Sequence, residues 1–408
     1  MTIDLEALYI DLHRHPELSF QETRTAGIAA QHLRDLGLEV TEQVGLTGVI
    51  GVLRNGEGPT VWLRADMDAL PVEERTGLAY ASTAHGTDPH GNEVPVMHAC
   101  GHDMHVTAMV GAIEQLTARA DEWAGTIIVV IQPAEEYGAG AQKMIADNLF
   151  ERFPKPDVVL GQHVTPLPVG TIGVRPGTQM AASDGLTVML YGRGGHGSRP
   201  HSTIDPIVLA AATVMRLQTI VSREVDPRDV AVVTVGSIHA GLKNNIIPAE
   251  AKLELSLRYP NEVARERVLA KVERVINAEA AASGVETPPT ITTDHSLPPT
   301  INDAASTARL SKAFDRAFGE GTVIDPGMFT GSEDVSWFAR ESGAPLVFWF
   351  WGGVDAEAYR TAVAGGTVER DIPTNHSPFY APVMQPTLDN GVQNLTVAAL
   401  EWLAQPAI

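Results

Sequence analysis

The chain has 408 residues, more than one compact core usually holds and enough for two or three domains at ~150 residues each. Lys and Arg number 29 against 50 Asp and Glu, and the resulting net charge of −21 argues against nucleic-acid or anionic-membrane partners, which need basic patches. No apolar run approaches the ~20 residues of a bilayer span. The acidic start of the chain lacks the basic flank of an export signal, and Cys100, the only cysteine, excludes an intrachain disulfide. These features read as a soluble, cytoplasmic protein.

The first half alternates helix and strand signals. Ser19-Phe-Gln-Glu22 reads as a capping box ahead of a helix that sets Ala26, Ala29, Leu33 and Leu36 on one side and stops at Gly37. Strands are expected over residues 47–53 and 60–66, joined by the turn Asn55-Gly-Glu-Gly58. A helix over 105–119, an apolar strand over 126–131, a helix near 139–150 and a strand over 157–161 follow. Apolar strands alternating with helices imply a mainly parallel sheet covered on both faces.

Near Ala181 the pattern changes. A strand over 184–191, a helix over 205–221 and a strand over 230–238 precede Leu253, Leu255 and Leu257, which alternate with Lys252, Glu254, Ser256 and Arg258 in the period-2 pattern of a half-wet strand. A long helix over 262–282 completes a βαββα order. Helix and strand signals return over 303–318, 345–350 and 388–403. The expected fold is α/β: a split domain over 1–182 and 293–408 with a mixed, mainly parallel sheet, interrupted by a smaller α+β domain over 183–292.

Ligands of open α/β sheets bind beyond the carboxyl ends of the strands, and the reactive residues cluster there. One strand runs into Asp66-Met-Asp68, another into Pro133-Ala-Glu135-Glu136, a third into Gln162-His163; between them lies Met97-His-Ala-Cys100-Gly-His102-Asp103-Met-His105. Singly, each has a plain explanation: Glu135 and Glu136 suit a helix N-terminus, and a lone cysteine is usually an inert buried thiol. Cys100-Gly-His102 is more specific, because a thiolate and an imidazole two positions apart around a glycine turn both face one ion. Together these groups outnumber the ligands of one tetrahedral ion and indicate a site for two divalent metals. A thiol hydrolase with Cys100 as nucleophile and His102 as base is the competing reading. Gly192-x-Gly-x-x-Gly197 matches a dinucleotide fingerprint, but Pro200 and Pro206 forbid the helix that must follow it directly.

Asp66-Met-Asp68-Ala-Leu-Pro71, His98-Ala-Cys-Gly-His-Asp103, Pro133-Ala-Glu-Glu136, Gly161-Gln-His163, Gly194-Gly-His-Gly-Ser198 and Asn375-His376-Ser resemble the M20 metallopeptidases. The likeness is to the amidohydrolase branch with hippurate hydrolases, N-acyl-amino-acid deacylases and auxin-conjugate hydrolases. It runs in order from Asp11 to the C-terminus. It implies metal ligands at Cys100, His102, Glu136, His163 and His376, a general base and acid at Glu135, and a metal-supporting carboxylate at Asp68. Asp66 sits where other branches place a ligand histidine, so its role is open, as is that of Gly331-Ser-Glu-Asp334. The inserted domain is implied to be a lid that also forms a homodimer interface. There His196 would steady an oxyanion in the partner's site, and Asn245 and Arg258 would grip a substrate carboxylate. His98 and His105 read as neighbours of the site, and His13 as structural. The implied reaction is hydrolysis of small N-acyl amino acids with two divalent ions, zinc or manganese first and cobalt or nickel also compatible. A dipeptidase or aminopeptidase using the same site is the alternative.

Overall fold

The computed structural model describes residues 2–403. They form two compact units. One takes the chain up to Gln179, Ile301–Gly327 and the residues from Asp334 on; the other takes Met180–Thr300 and Met328–Glu333. The borders differ from the expected 182 and 293 for two reasons. Strand Thr290–Leu297, whose Thr, Asp and His side chains give little apolar signal, pairs with Ala182–Tyr191. The Ala181 N–H also bonds the Phe329 and Gly331 carbonyls, drawing that segment to the second unit.

The first unit is built on an eight-stranded sheet. In chain order its strands are β1 (Glu39–Val44), β2 (Gly48–Asn55), β3 (Thr60–Asp66), β4 (Gly125–Gln132), β5 (Val158–Pro168), β6 (Ile172–Gly173), β7 (Val323–Ile324) and β8 (Leu346–Val354). In space they run β1-β2-β4-β3-β5-β8-β6-β7. β3 lies parallel to both β4 and β5, and β5 parallel to β8, whereas β1, β2 and β4 pair antiparallel. Every residue of β3 from Val61 to Asp66 is buried, as is β4 from Ile127 on. That burial on both faces explains their largely apolar sequence, which in β3 only Arg64 interrupts before Asp66. Leu63, Val129 and Leu160 share a core with Val106, Val110 and Ile113 of helix His102–Ala118 and with Leu395 and Ala399 of helix Met384–Trp402. Each such buried aliphatic side chain contributes ~1.5–3 kcal/mol.

Because β4, β3 and β5 are parallel neighbours, their carboxyl ends lie side by side. Asp66 pairs with Gln132, and Arg64 with Gly161, so His163 stands two residues further along, level with Asp66. The helix expected from 105 starts at His102. Gly101 turns the chain with φ +85°, and its missing Cβ would otherwise lie 2.6 Å from Val164 Cγ1. His102 and His105 therefore sit one turn apart on a buried helix.

The second unit is a four-stranded antiparallel sheet in the order Val232–Ala240, Glu250–Tyr259, Ala182–Tyr191, Thr290–Leu297. Helices Pro206–Thr219 and Glu262–Ala282 complete it, capped by the side chains of Asp205 and Asn261. Leu253, Leu255 and Leu257 are buried with Val268, Val272 and Ile276, and the intervening residues of that strand are half-buried. After Gly197 comes only the three-residue 3-10 turn Pro200–Ser202, and the first α-helix begins at Pro206, so no α-helix follows the glycine motif directly. Among the described residues no helix is long and apolar enough to cross a membrane.

Candidate metal centre

Ligand atoms of Cys100, His102 and Glu136 lie within 4.8 Å of one another. So do those of Asp66, His102, His105 and His163. His102 is fully buried, and neither of its ring nitrogens makes a hydrogen bond among the described residues. Nδ1 stands 3.3 Å from Asp68 Oδ1, and Nε2 stands 3.6 Å from Asp66 Oδ2 and 4.0 Å from Glu136 Oε1. Burial pulls the His102 pKa down, but Asp66, Asp68 and Glu136 outweigh it and push it up to about 10. The pocket attracts positive charge.

The other donors agree. His163 donates Nδ1–H to the Val164 carbonyl at 2.6 Å, which leaves the Nε2 lone pair 3.4 Å from Cys100 Sγ. Burial first, then nearby His105, holds that imidazole neutral. Burial and the carboxylates of Glu136, Glu135 and Asp66 push the Cys100 thiol up. A thiolate there needs a compensating cation, and an unassisted nucleophilic thiolate is disfavoured. His376 Nε2 comes within 3.2 Å of Glu136 Oε1, and His376 takes φ +71°, a strained value for a non-glycine residue. Its N–H bonds the Ala99 carbonyl, and the Asn375 amide bonds the Cys100 carbonyl at 3.1 Å and the Val164 carbonyl at 3.3 Å. A buried sulfur, imidazoles and a carboxylate with unpaired atoms suit divalent transition ions.

His105 belongs to the same cluster but has no free nitrogen. Its Nε2 accepts the Val164 N–H at 2.9 Å, so its proton is on Nδ1, which bonds Asp66. Asp66 also pairs with buried Arg64 at 2.6 Å. Burial opposes ionisation of Asp66, yet Arg64, His102 and His105 hold its carboxyl well below the usual range. Asp66 thus joins a charge network beneath the pocket. Arg64 also reaches Gln132 Oε1 at 2.9 Å and Asp334 at 3.2 Å, while Asp334 accepts the Ala141 N–H. An arginine inside the apolar strand Val61–Ala65 was the sequence signal for this network.

Asp68 accepts the Glu135 N–H on Oδ1 and the Glu136 N–H on Oδ2, each at 3.1 Å, and the Ser19 hydroxyl at 2.7 Å. The expected capping box is absent. Glu22 occupies the N-cap of helix Thr23–Asp35, but its side chain does not cap, and both polar groups of the motif point into the site. His13, read as structural, bridges Asp103 at 2.6 Å and Glu74 at 3.1 Å. Those carboxylates overcome burial and push His13 up to about 10.

The remaining candidates lie in the second unit. His196 is exposed, and its Nδ1 accepts from the Ser198 N–H at 3.1 Å, placing the neutral ring's proton on Nε2. Asn245 is exposed, and its carbonyl accepts the Gly197 N–H. Arg258 is half-buried on the central strand Glu250–Tyr259 and bonds Ser256 Oγ at 3.1 Å and the Leu257 carbonyl at 2.9 Å.

A mainly parallel sheet with buried soft and hard donors gathered on neighbouring strands defines an α/β protein with a candidate metal centre. Residues 62–365 match the model of peptidase family M20/M25/M40. The chain is 37% identical over 346 residues to an N-acetyl-L-cysteine deacetylase of Bacillus subtilis, covering 83% of this chain and 78% of that protein. It is 38% identical over 350 residues to a hippurate hydrolase of Campylobacter jejuni, covering 85% and 87%. Among solved structures, a dinuclear metal binding peptidase of the M20 family from Bacillus subtilis superposes with a TM-score of 0.77 at 30% identity, covering 98% of each chain. The chain belongs to peptidase family M20/M25/M40 and is an amidohydrolase of that family.

Proposed function

We propose that this protein hydrolyses the amide bond of small N-acyl amino acids, releasing a carboxylic acid and an amino acid. The observation that carries the reading is the buried meeting of Cys100, His102 and Glu136, beside His163 and within reach of His376. These five residues would hold two divalent ions, with zinc or manganese the leading candidates. Such ions make hydroxide available near neutral pH and polarise a carbonyl oxygen.

The protein's own groups supply the proton chemistry. Glu135 takes a proton from the attacking water and delivers it to the leaving nitrogen. Asp68 orients His102 and holds the Glu135 and Glu136 backbone. His196 donates Nε2–H to the developing oxyanion in a partner subunit's site, and Asn245 with Arg258 binds the free carboxylate of the substrate.

The second unit acts as lid and homodimer surface in this reading. Val232–Ala240 is an edge strand of its sheet, and Val208, Met215, Ile238, Leu242 and Ile246 are exposed. A second copy would cover both the unpaired rungs and the apolar side chains. The compartment we assign is the cytoplasm.

The test is hydrolysis of N-acetyl and N-benzoyl amino acids beside free dipeptides, using metal-free enzyme refilled with single metals. Acylated substrates cleaved only after refilling, with dipeptides inert, are expected. Turnover that survives chelation would leave the thiol hydrolase standing, and preference for dipeptides would leave the peptidase. Light scattering of the holoenzyme checks the dimer.

A further inference from the structure

Three successive backbone N–H groups in the turn after β4 each meet a carboxylate oxygen. Ala134 donates to Glu22 Oε1 at 2.9 Å, Glu135 to Asp68 Oδ1 and Glu136 to Asp68 Oδ2, both at 3.1 Å. Ala134 holds φ +48°, a left-handed conformation that is strained for an alanine. Such strain persists only where the surroundings over-determine it. Here two carboxylates from distant segments do so.

Glu22 is fully buried. Its Oε1 also accepts the Phe20 N–H at 2.9 Å, and its Oε2 accepts the Thr47 hydroxyl at 2.6 Å. Ser19 adds a hydroxyl bond to the same Asp68 oxygen that holds Glu136. A Ser-x-x-Glu pair at a helix start normally caps that helix. In this protein both side chains forgo the cap: Glu22 bonds the Ala134 N–H in the turn that carries Glu135, and Ser19 bonds Asp68, which holds the next two N–H groups of that turn.

We propose that Glu22 is a positioning residue for catalysis, with Ser19 assisting through Asp68: Glu22 locks Ala134 in its left-handed conformation and thereby aims the Glu135 carboxylate. The inference rests on Glu135 being the general base. Without Glu22, Ala134 loses its acceptor and relaxes toward ordinary φ, and the following side chain swings away. A small misplacement of a reacting group is enough to cost ~10²-fold in rate.

The test measures kcat, KM, bound metal and melting temperature for Glu22→Ala, Glu22→Gln, Ser19→Ala and Glu22→Ala/Ala134→Gly. Glu22→Ala is expected to lower kcat ~10–100-fold, with KM within ~3-fold and metal content unchanged. Glu22→Gln keeps an oxygen for the Ala134 N–H and should stay within ~3-fold of the parent. Glycine at 134 adopts positive φ without strain, so the double variant should recover part of the lost kcat. Ser19→Ala, the mildest change, should lower kcat ~3–10-fold and keeps the test open if Glu22→Ala does not fold.

A Glu22→Ala enzyme that melts earlier yet keeps its kcat overturns the proposal. So does one that loses metal in proportion to activity, or no effect in Ser19→Ala when Glu22→Ala cannot be made. Glu135→Gln is run alongside. If it stays active with metal bound, the general-base reading fails; if it is dead while Glu22→Ala is fully active, only the positioning role fails.

Discussion

Glu136 and His376 meet at 3.2 Å, one following β4 and the other from the C-terminal stretch that returns after the second unit. The contact joins two parts of a divided domain. If both are ligands, His376→Ala removes one donor from the more open side of the site. Metal content of purified protein should fall by about one ion per chain, and kcat/KM by ~10²-fold or more, while Cys100, His102 and His163 keep the other ion. Elemental analysis with steady-state kinetics reads both quantities.

Asp68 satisfies two buried backbone donors and one hydroxyl. Asp68→Ala strands all three, and a buried donor without an acceptor costs ~1–3 kcal/mol. Chemical denaturation should show a loss of ~2–5 kcal/mol, together with a kcat fall of ~10–100-fold. Asp68→Asn retains one acceptor and should lie between the parent and the alanine variant in both measurements.

Gly101 separates the two residues of the thiol–imidazole pair with φ +85°, and a Cβ would lie 2.6 Å from Val164 Cγ1. Gly101→Ala meets both a backbone penalty and a clash, expected to cost ~2–4 kcal/mol. The melting temperature should fall by several degrees, since ~1 kcal/mol corresponds to ~2–4 °C in larger domains. Gly77, with φ +77° and nothing near its missing Cβ, is the control: Gly77→Ala should cost only the backbone part.

Glu22 gives a pH signature in stability. Burial first, and then Asp68, raises its carboxyl from 4.5 to about 7 in the folded protein. Between those values the unfolded chain has lost its proton while the folded chain keeps it. The Glu22 contribution therefore falls as pH rises from 4.5 toward 7 and stays low above 7. Glu22→Gln cannot ionise. Its stability relative to the parent should grow by ~1–3 kcal/mol between pH 4 and pH 8, read from denaturant midpoints. A difference independent of pH would show that the carboxyl is ionised in the fold.

Much of the architecture was legible because burial on both faces leaves a mark in composition. β3, β4 and the first half of β5 are largely apolar, and the polar residues Asp68, Glu135 and His163 that come next mark where ligands gather. Strand Thr290–Leu297 escaped notice for the opposite reason: at a sheet edge it needs few apolar residues, and its partner supplies the pairing. The capping motif at Ser19 and Glu22 was misread because local spacing cannot report a competing acceptor or donor more than forty positions away. Ser19 bonds Asp68 at a separation of 49 residues and Glu22 bonds Ala134 at 112. The same limit hid the roles of Asp66, Arg64 and Asp334, whose side chains pair only once β3 is packed.

The order of residues by itself determined the alternation of strands and helices, the position of the reactive groups at strand ends and the glycine turn between Cys100 and His102. These are short-range matters of periodicity and backbone sterics. Tertiary structure decided which of the gathered groups keep a free lone pair. His105 and Asp66 belong to the same cluster as His102, yet Asp66 is taken by Arg64 and His105, and His105 by Asp66 and the Val164 N–H, while His102 is buried with both nitrogens unpaired. Hydrogen-bond satisfaction is a property of the packed neighbourhood, so no local pattern in the chain encodes it.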